Sequence, residues 1–427
     1  MKDENQVTKK DPYASLRIRD FSIYLAARFC LTLGIQIQVV VVGLQIYKLT
    51  PGTSEEKALS LGYIGLAEAI PFIFLALFTG HIADIFRRKI IMQISIGFLL
   101  LCSWLLFFIS SDKTLLISLG TLPIYGIIFC TGIARGFLSP VFPAFQSQLV
   151  PRKLYANAST WNTNLWQTAA VLGPAIGGLL IGLINIEFSY AVSSSLMTLS
   201  FLLLIPITNH PVPIKEQKEK LKDSLTAGIR FVFKNQIMLS ALSLDLFAVL
   251  LGGAVAMVPV FAHDVLHLGG KQADMWVGFM RAAPAVGSIL MGIGLAYFPT
   301  TKQAGRNLYI AVTGFGICII GFAFSTNVYL SFALLFMSGA FDMISVVIRH
   351  TILQLLTPDN MRGRVSAVNS IFIGSSNEIG QMESGLAARL MGLIPSVAFG
   401  GCMTVLVASG VMFLAPKLRR LNLDKMV

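Results

Sequence analysis

Charge is scarce in this chain. Only 13% of its 427 residues are Asp, Glu, Lys or Arg, whereas 55% are hydrophobic. A soluble domain carries about 25% charged residues, so the composition excludes an ordinary soluble protein. The mean hydropathy of +0.73 agrees. Cysteine is sparse too. Cys30, Cys102, Cys130, Cys318 and Cys402 all fall inside apolar runs, without a C-x-x-C pair. They read as small core residues, not as a disulfide frame or a thiolate metal site. No Walker sequence is present, so nothing points to direct ATP drive. No carboxylate pair joins a histidine at ligand spacing, and no histidine stands near a nucleophile in a catalytic pattern, so neither a metal, a cofactor nor an enzyme is expected. His263 and His350 lie near predicted helix ends, where a lone histidine is usually a boundary residue.

Long apolar runs are what the chain has. They exclude a β-barrel, whose strands alternate. Twelve membrane-spanning helices are predicted, at roughly 20–48, 58–83, 88–110, 114–139, 155–183, 186–206, 236–266, 272–298, 306–325, 328–356, 361–391 and 394–415. Several exceed the ~20 residues needed to cross a bilayer, so tilt is expected. The fold class is therefore an all-α membrane protein. The predicted divisions are an N-tail (1–19), a first six-helix bundle (20–206), a linker (207–235), a second six-helix bundle (236–415) and a C-tail (416–427). The linker holds Pro211, Pro213 and a mixed charge run from Lys215 to Asp223. After it, Ser224–Lys234 reads as a short amphipathic helix with Leu225, Ile229 and Val232 on one side. Met1–Asp20 is polar and lacks a cleavable apolar region, so the first helix is expected to act as the targeting signal.

The basic excess, 33 Lys and Arg against 21 Asp and Glu for a net charge of +12, is not spread like a nucleic-acid patch. Only Lys48, Lys57, Lys113 and Lys271 fall in the loops at one membrane face. Most others fall in the tails, the linker and the loops at the other face. This is the positive-inside pattern, with both termini cytoplasmic.

One short turn fixes the arrangement of the first helices. Gly80-His81-Ile82-Ala83-Asp84-Ile85-Phe86-Arg87-Arg88-Lys89 joins two apolar runs so closely that they must return side by side. Its Gly80, Asp84, Arg88 and Lys89 resemble the G-x-x-x-D-x-x-x-R-K of motif A in the major facilitator superfamily. Ile85 replaces that motif's usual arginine and Arg87 its usual glycine. The resemblance implies two six-helix halves that rock about a central site, and a gating role for this turn. Further on, Gly173-Pro174-Ala175-Ile176-Gly177-Gly178 resembles the core of motif C of exporting members, without its upstream glycines. G-P-x-x-G-G can bend a helix, or let a neighbouring backbone come close. Ala27-Arg28-Phe29 and Leu353-Gln354-Leu355-Leu356-Thr357-Pro358 are similar to a bacterial subgroup of siderophore and macrolide exporters.

The two halves look duplicated. A shift of 207 residues carries Gly132 onto Gly339, Pro151 onto Pro358, Asn162 onto Asn369, Gly173 onto Gly380 and Gly178 onto Gly385. A shift of 213 carries Gly65 onto Gly278 and Pro71 onto Pro284. The same alignment sets opposite charges at equivalent places: Glu68 against Arg281, and Arg135 against Asp342. An ion at bilayer depth costs at least ~2.5–3.5 kcal/mol, so such residues face a wet cavity or a partner. Glu68, Arg135, Arg281 and Asp342 are expected at the interface of the halves, as substrate contacts or exchanging ion pairs. Fixed structural pairs are the competing reading.

Further candidates are Arg28 in the first helix, near Gln36, Gln38 and Gln45, and Asp245 in the seventh. Asp245 would carry a proton, or else be a helix-end carboxylate paired with Lys234. Glu378 and Glu383 are five residues apart on the eleventh helix, so only one faces the cavity, and Glu378 is favoured. Trp161, or Trp166, would supply an aromatic wall.

The resemblance implies a monomeric exporter in the bacterial cytoplasmic membrane. It would move a siderophore or amphipathic compound by proton antiport, with protons, a small-molecule substrate and membrane lipids as partners and no nucleic acid. Uptake or facilitated diffusion of a small metabolite remains the other transport reading.

Overall fold

The computed structural model describes residues 11–208, 221–298, 302–358 and 361–423. The chain forms an all-helical bundle whose long helices are α1 (Arg19–Leu49), α2 (Ser54–Ile85), α3 (Arg88–Ser111), α4 (Leu122–Leu149), α5 (Tyr155–Leu183), α6 (Ile186–Leu204), α7 (Gln236–Leu251), α8 (Gly270–Tyr297), α9 (Ala304–Phe324), α10 (Val328–Leu356), α11 (Arg362–Met391) and α12 (Leu393–Leu414). Among the described residues, eleven helices are long and apolar enough to cross a membrane. The exception is α11, which is long enough at 30 residues but carries Asn369, Asn377, Glu378, Gln381 and Glu383. Of these, Asn377, Glu378 and Gln381 line a cavity inside the bundle.

Two predicted spans are not single helices. The fourth begins as a short helix, Lys113–Leu119, which stops at Gly120 (φ 61°) before α4 starts at Leu122 and runs to Leu149. A positive φ suits glycine, which has no Cβ to clash. The seventh breaks after Leu251 at Gly252-Gly253, then passes through a 3-10 turn (Ala254–Met257) and a π turn (Phe261–Val265). Backbone of this kind is tolerated at membrane depth where protein covers it, and Ala254, Met257, Val260 and Phe261 are buried. The amphipathic linker helix is present, as Leu221–Lys234.

The duplication has a spatial counterpart. In the first half α4 crosses α2 at Gly132: a Cβ there would lie 2.7 Å from Pro71 and 2.8 Å from the Glu68 carbonyl. In the second half α10 crosses α8 where Gly339 meets Pro284. Between the halves, α5 crosses α8 at Gly178 and Gly278, and α2 crosses α11 at Gly62 and Gly385. Cβ atoms at Gly178 or Gly385 would lie 2.6 Å and 2.8 Å from the facing glycine Cα atoms. Small residues are how membrane helices come this close.

The apolar core shows which way the halves are tilted. One cluster is shared by both, joining Ile37, Leu44 and Tyr190 to Met257, Phe261, Phe322 and Leu335. Toward the end of the bundle that carries the Arg87–Lys89 turn, here called the basic end, the core divides. Phe21, Tyr24, Met92 and Phe145 form one cluster within the first half. Met238, Leu308, Ile352 and Leu418 form another within the second. The halves thus pack together at the end opposite the basic turn and part toward the basic end.

Candidate functional site

Glu68 stands one turn from Gly65 and one turn from Pro71. Both neighbours bring another helix in. Gly65 admits α11, since a Cβ there would lie 2.5 Å from the Glu378 carbonyl. Gly132, packed on Pro71, seats α4 so that Arg135 reaches the same place. The result is a charged triad across the halves. Arg135 Nη1 pairs with Glu68, and its Nη2 lies 3.7 Å from Glu378 Oε1. Gln381 Nε2 donates to Glu378 Oε2 at 3.4 Å. These groups line a cavity of about 420 Å³ together with Gln36, Thr131, Trp166 and Asn377. Two carboxylates share one guanidinium, so an added cation or proton is favoured, or the arginine can be lent to an anionic ligand.

The structure sorts the remaining sequence candidates. Glu378 lines the cavity and Glu383 does not. The wall tryptophan is Trp166, 48% exposed. Trp161 instead donates its indole N–H to the Pro12 carbonyl at 2.9 Å and lies against Tyr13, fastening the N-terminal segment to α5. Arg28 lies over the Phe142 ring (4.6 Å) and donates to Tyr24 Oη at 3.2 Å, beside a small crevice that it shares with Asn162 and Trp166. Arg281 and Asp342 are outside the lining of the central cavity. Arg281 points toward α1 at Gly43, and among the described residues it has no acidic partner. Asp342 lies 4.0 Å from Arg349. Asp342 and Asp245 thus both lie beside Arg349 within the second half.

Arg349 is the residue that the sequence reading passes over. It is 4% exposed, pairs with Asp245, and donates from Nε to Ser345 Oγ at 3.2 Å. Asp245 therefore pairs with α10 and not with Lys234, and it belongs to the interior of the second half. The signal was available: a guanidinium inside the apolar run 328–356 is the same sign that singles out Arg135.

A second polar group joins the halves at the end opposite the basic turn. Lys48 Nζ meets Asp274 Oδ2 at 2.5 Å, and His263 Nε2 is 3.2 Å from Asp274 Oδ1. Tyr47 donates to Asp264 Oδ1 at 2.5 Å and stacks on His263, with ring centroids 4.7 Å apart. Ser54 donates to Asp264 Oδ2 at 2.8 Å, and Arg389 reaches Glu56 at 3.4 Å. His263 is more than a boundary residue here.

Of the motif residues, Arg88 donates to the Ala144 carbonyl at 2.8 Å and Lys89 to the Ile205 and Ile207 carbonyls at 3.0 and 2.5 Å. The turn is thus tied to the ends of α4 and α6. Gly80 and Asp84 lie on α2, but their side-chain surroundings fall outside the described residues. Gly173, Pro174, Gly177 and Gly178 are all buried in a helix that runs unbroken through Pro174. Gly173 and Gly177 lie against α1 at Gln36 and Ile37, and Gly178 against α8. These positions are closely packed on both neighbours. Among the described residues no three His, Cys, Asp or Glu gather as metal ligands.

Similar proteins place this geometry. The enterobactin exporter EntS of Shigella flexneri is 24% identical over 412 residues, covering 94% of this chain and 92% of that one. The MFS-type transporter YfmI of Bacillus subtilis is 24% identical over 296 residues, covering 66% and 70%. A D-xylose–proton symporter superposes with a TM-score of 0.72 at 15% identity, over 93% of this chain and 98% of that one. A bacterial homologue of the lysosomal transporter Spinster, inward-facing and unoccupied, gives 0.68 at 14% identity over 95% and 98%. The sequence profile of the Major Facilitator Superfamily matches residues 24–381. With that match over most of its length, and with twelve long helices among the described residues forming two halves around a charged cavity, the chain is a multi-pass membrane transporter, not an enzyme, and belongs to the Major Facilitator Superfamily.

Proposed function

We propose that this transporter exports a small organic compound, a siderophore or an amphipathic drug-like molecule, from the cytoplasm by proton antiport. The observation that carries the reading is the triad Glu68–Arg135–Glu378, which spans both halves inside the central cavity. A ligand or proton that alters this triad alters the bond between the halves, which is what coupling in a rocking carrier requires. Arg135 would receive an anionic group of the substrate. Trp166 and Phe72 would contact its apolar or aromatic part. Protonation of Glu68 or Glu378 would change their hold on the arginine, so proton and substrate act on one set of charges and each alters the binding of the other. Similarity to an enterobactin exporter supports export and a catecholate-like ligand. Positive-inside topology supports a bacterial inner membrane location with the basic end, and hence the open side of the cavity, toward the cytoplasm.

The test has two stages. Compounds retained by cells lacking the protein are compared with those of complemented cells during iron starvation. The compound that accumulates is then loaded into proteoliposomes, and its movement is followed under an imposed proton gradient of either sign. Export driven by proton influx supports the proposal. Movement that ignores the gradient, or uptake as the only direction driven, overturns it in favour of facilitated diffusion or import. Glu68→Gln is expected to reduce gradient-driven transport at least tenfold.

A further inference from the structure

A cavity of about 900 Å³, larger than the central one, lies on the outer flank of the second half. It is bordered by α9, α10 and the segment that follows α12. Its charged side carries Arg306, Arg419 and Arg420, and its apolar wall includes Ile310, Ile317 and Phe341. Among the described residues no Asp or Glu lines it, and neither Arg419 nor Arg420 has an acidic partner.

The segment with the two arginines is built into the fold. Leu418 is fully buried against α9 at Gly305, whose N–H donates to the Leu421 carbonyl at 3.4 Å. Tyr309 Oη donates to the Val411 carbonyl at 3.3 Å. Three guanidiniums are therefore held together at the basic end of a membrane span. From them an apolar stripe descends. Ile310 and Ile317 are 52% and 57% exposed and lie seven residues apart, on one face of α9. Arg306 to Ile317 is about 17 Å along a helix axis, close to half of the ~30 Å hydrocarbon core. Cations at the polar boundary followed by one leaflet's depth of apolar groove match an anionic amphiphile.

We propose that this groove binds an anionic phospholipid of the leaflet at the basic end. Arg306, Arg419 and Arg420 hold the phosphate, and one acyl chain lies along Ile310 and Ile317 against Phe341. Guanidinium forks suit phosphate oxygens, and basic pockets between membrane helices favour acidic headgroups. The lipid would bridge α9 to the end of α12 within the second half, and it is independent of the transported compound.

The experiment is native mass spectrometry of the purified full chain mixed with phosphatidylglycerol or phosphatidylcholine. The wild type is expected to retain phosphatidylglycerol at least tenfold better than phosphatidylcholine. The Arg306→Gln/Arg419→Gln/Arg420→Gln variant is expected to lose that preference, and the corresponding Lys variant to keep part of it. Ile310→Gln/Ile317→Gln should weaken retention from the apolar side, which keeps the test open if the Gln triple variant does not fold. Arg152→Gln/Lys153→Gln, a basic pair at the same end of the first half, should change nothing. Equal retention of the two lipids by the wild type, an unchanged preference in the Gln triple variant, or an equal loss in the Arg152/Lys153 control would each overturn the proposal.

Discussion

At the scale of residues, two ion pairs of similar composition have different surroundings. Glu68–Arg135 lines an open cavity, and the Arg135 side chain is 35% exposed. Asp245–Arg349 is sealed, with both side chains below 10% exposure. Breaking a buried pair leaves one uncompensated charge, at a cost of about 3–5 kcal/mol, whereas removing both partners together can be neutral. Asp245→Asn is therefore expected to lower the unfolding temperature in detergent by several degrees, and Asp245→Leu/Arg349→Met to recover most of the loss, as followed by tryptophan fluorescence on heating. Glu68→Gln and Arg135→Gln should behave in the opposite manner, with small shifts in unfolding temperature and large losses of transport. If Asp245→Asn leaves stability untouched and stops transport, the assignment of roles is reversed. The sequence showed that both acids were buried in an apolar setting. It did not show which was wet, because that depends on Arg349, 104 positions from Asp245, and on the glycine crossings beside Glu68. Of the mirrored charges, Arg281 faces α1 across the halves, whereas Asp342 lies beside Arg349 within the second half: duplication preserves backbone positions, not partners.

At the scale of elements, the helix spans were legible from hydropathy, and most boundaries fall within a few residues of expectation. The breaks at Gly120 and Gly252-Gly253 were not, since a glycine in an apolar run reads equally as packing or as interruption. Nor was the polar lock Tyr47–Lys48 to His263–Asp264–Asp274, whose partners lie more than 200 positions apart on helices that meet only when the halves do. Alternating access requires this lock and the Gly178–Gly278 and Gly62–Gly385 crossings to separate together. Lys48→Ala and Asp274→Asn are each expected to shift the protein toward opening at this end. Spin labels at Thr53 and Gln272, one on each half and both exposed, should report a longer distance population in electron–electron double resonance. Gly178→Leu should do the same by bulk, because its Cβ alone would already lie 2.6 Å from the Gly278 Cα. Unchanged distances in all three variants would mean that the lock and the crossings do not hold this end shut.

At the scale of the whole molecule, the division of the apolar core carries a directional consequence. One cluster bridges the halves away from the basic turn, and two separate clusters serve the halves at the basic end. On the exposed side of α5 at that end stand Thr163, Asn164 and Trp166, a polar and aromatic surface that lipid would not favour but a water-filled cleft would. In the proposed orientation, with the basic end toward the cytoplasm by positive-inside bias, Trp166 should be reached from the cytoplasmic side. The native thiols must first be removed, Cys402 above all since it is exposed. Trp166→Cys in that background should react with a membrane-impermeant maleimide in inside-out vesicles and resist it in right-side-out vesicles. Adding Lys48→Ala should slow the first reaction as the population moves to the other state. Labelling from the outer face alone would reverse the orientation, and with it the direction in which the cavity presents its charges. Labelling from neither face would mean that the cleft between the divided cores is dry, and that the polar surface of α5 is covered by something other than water.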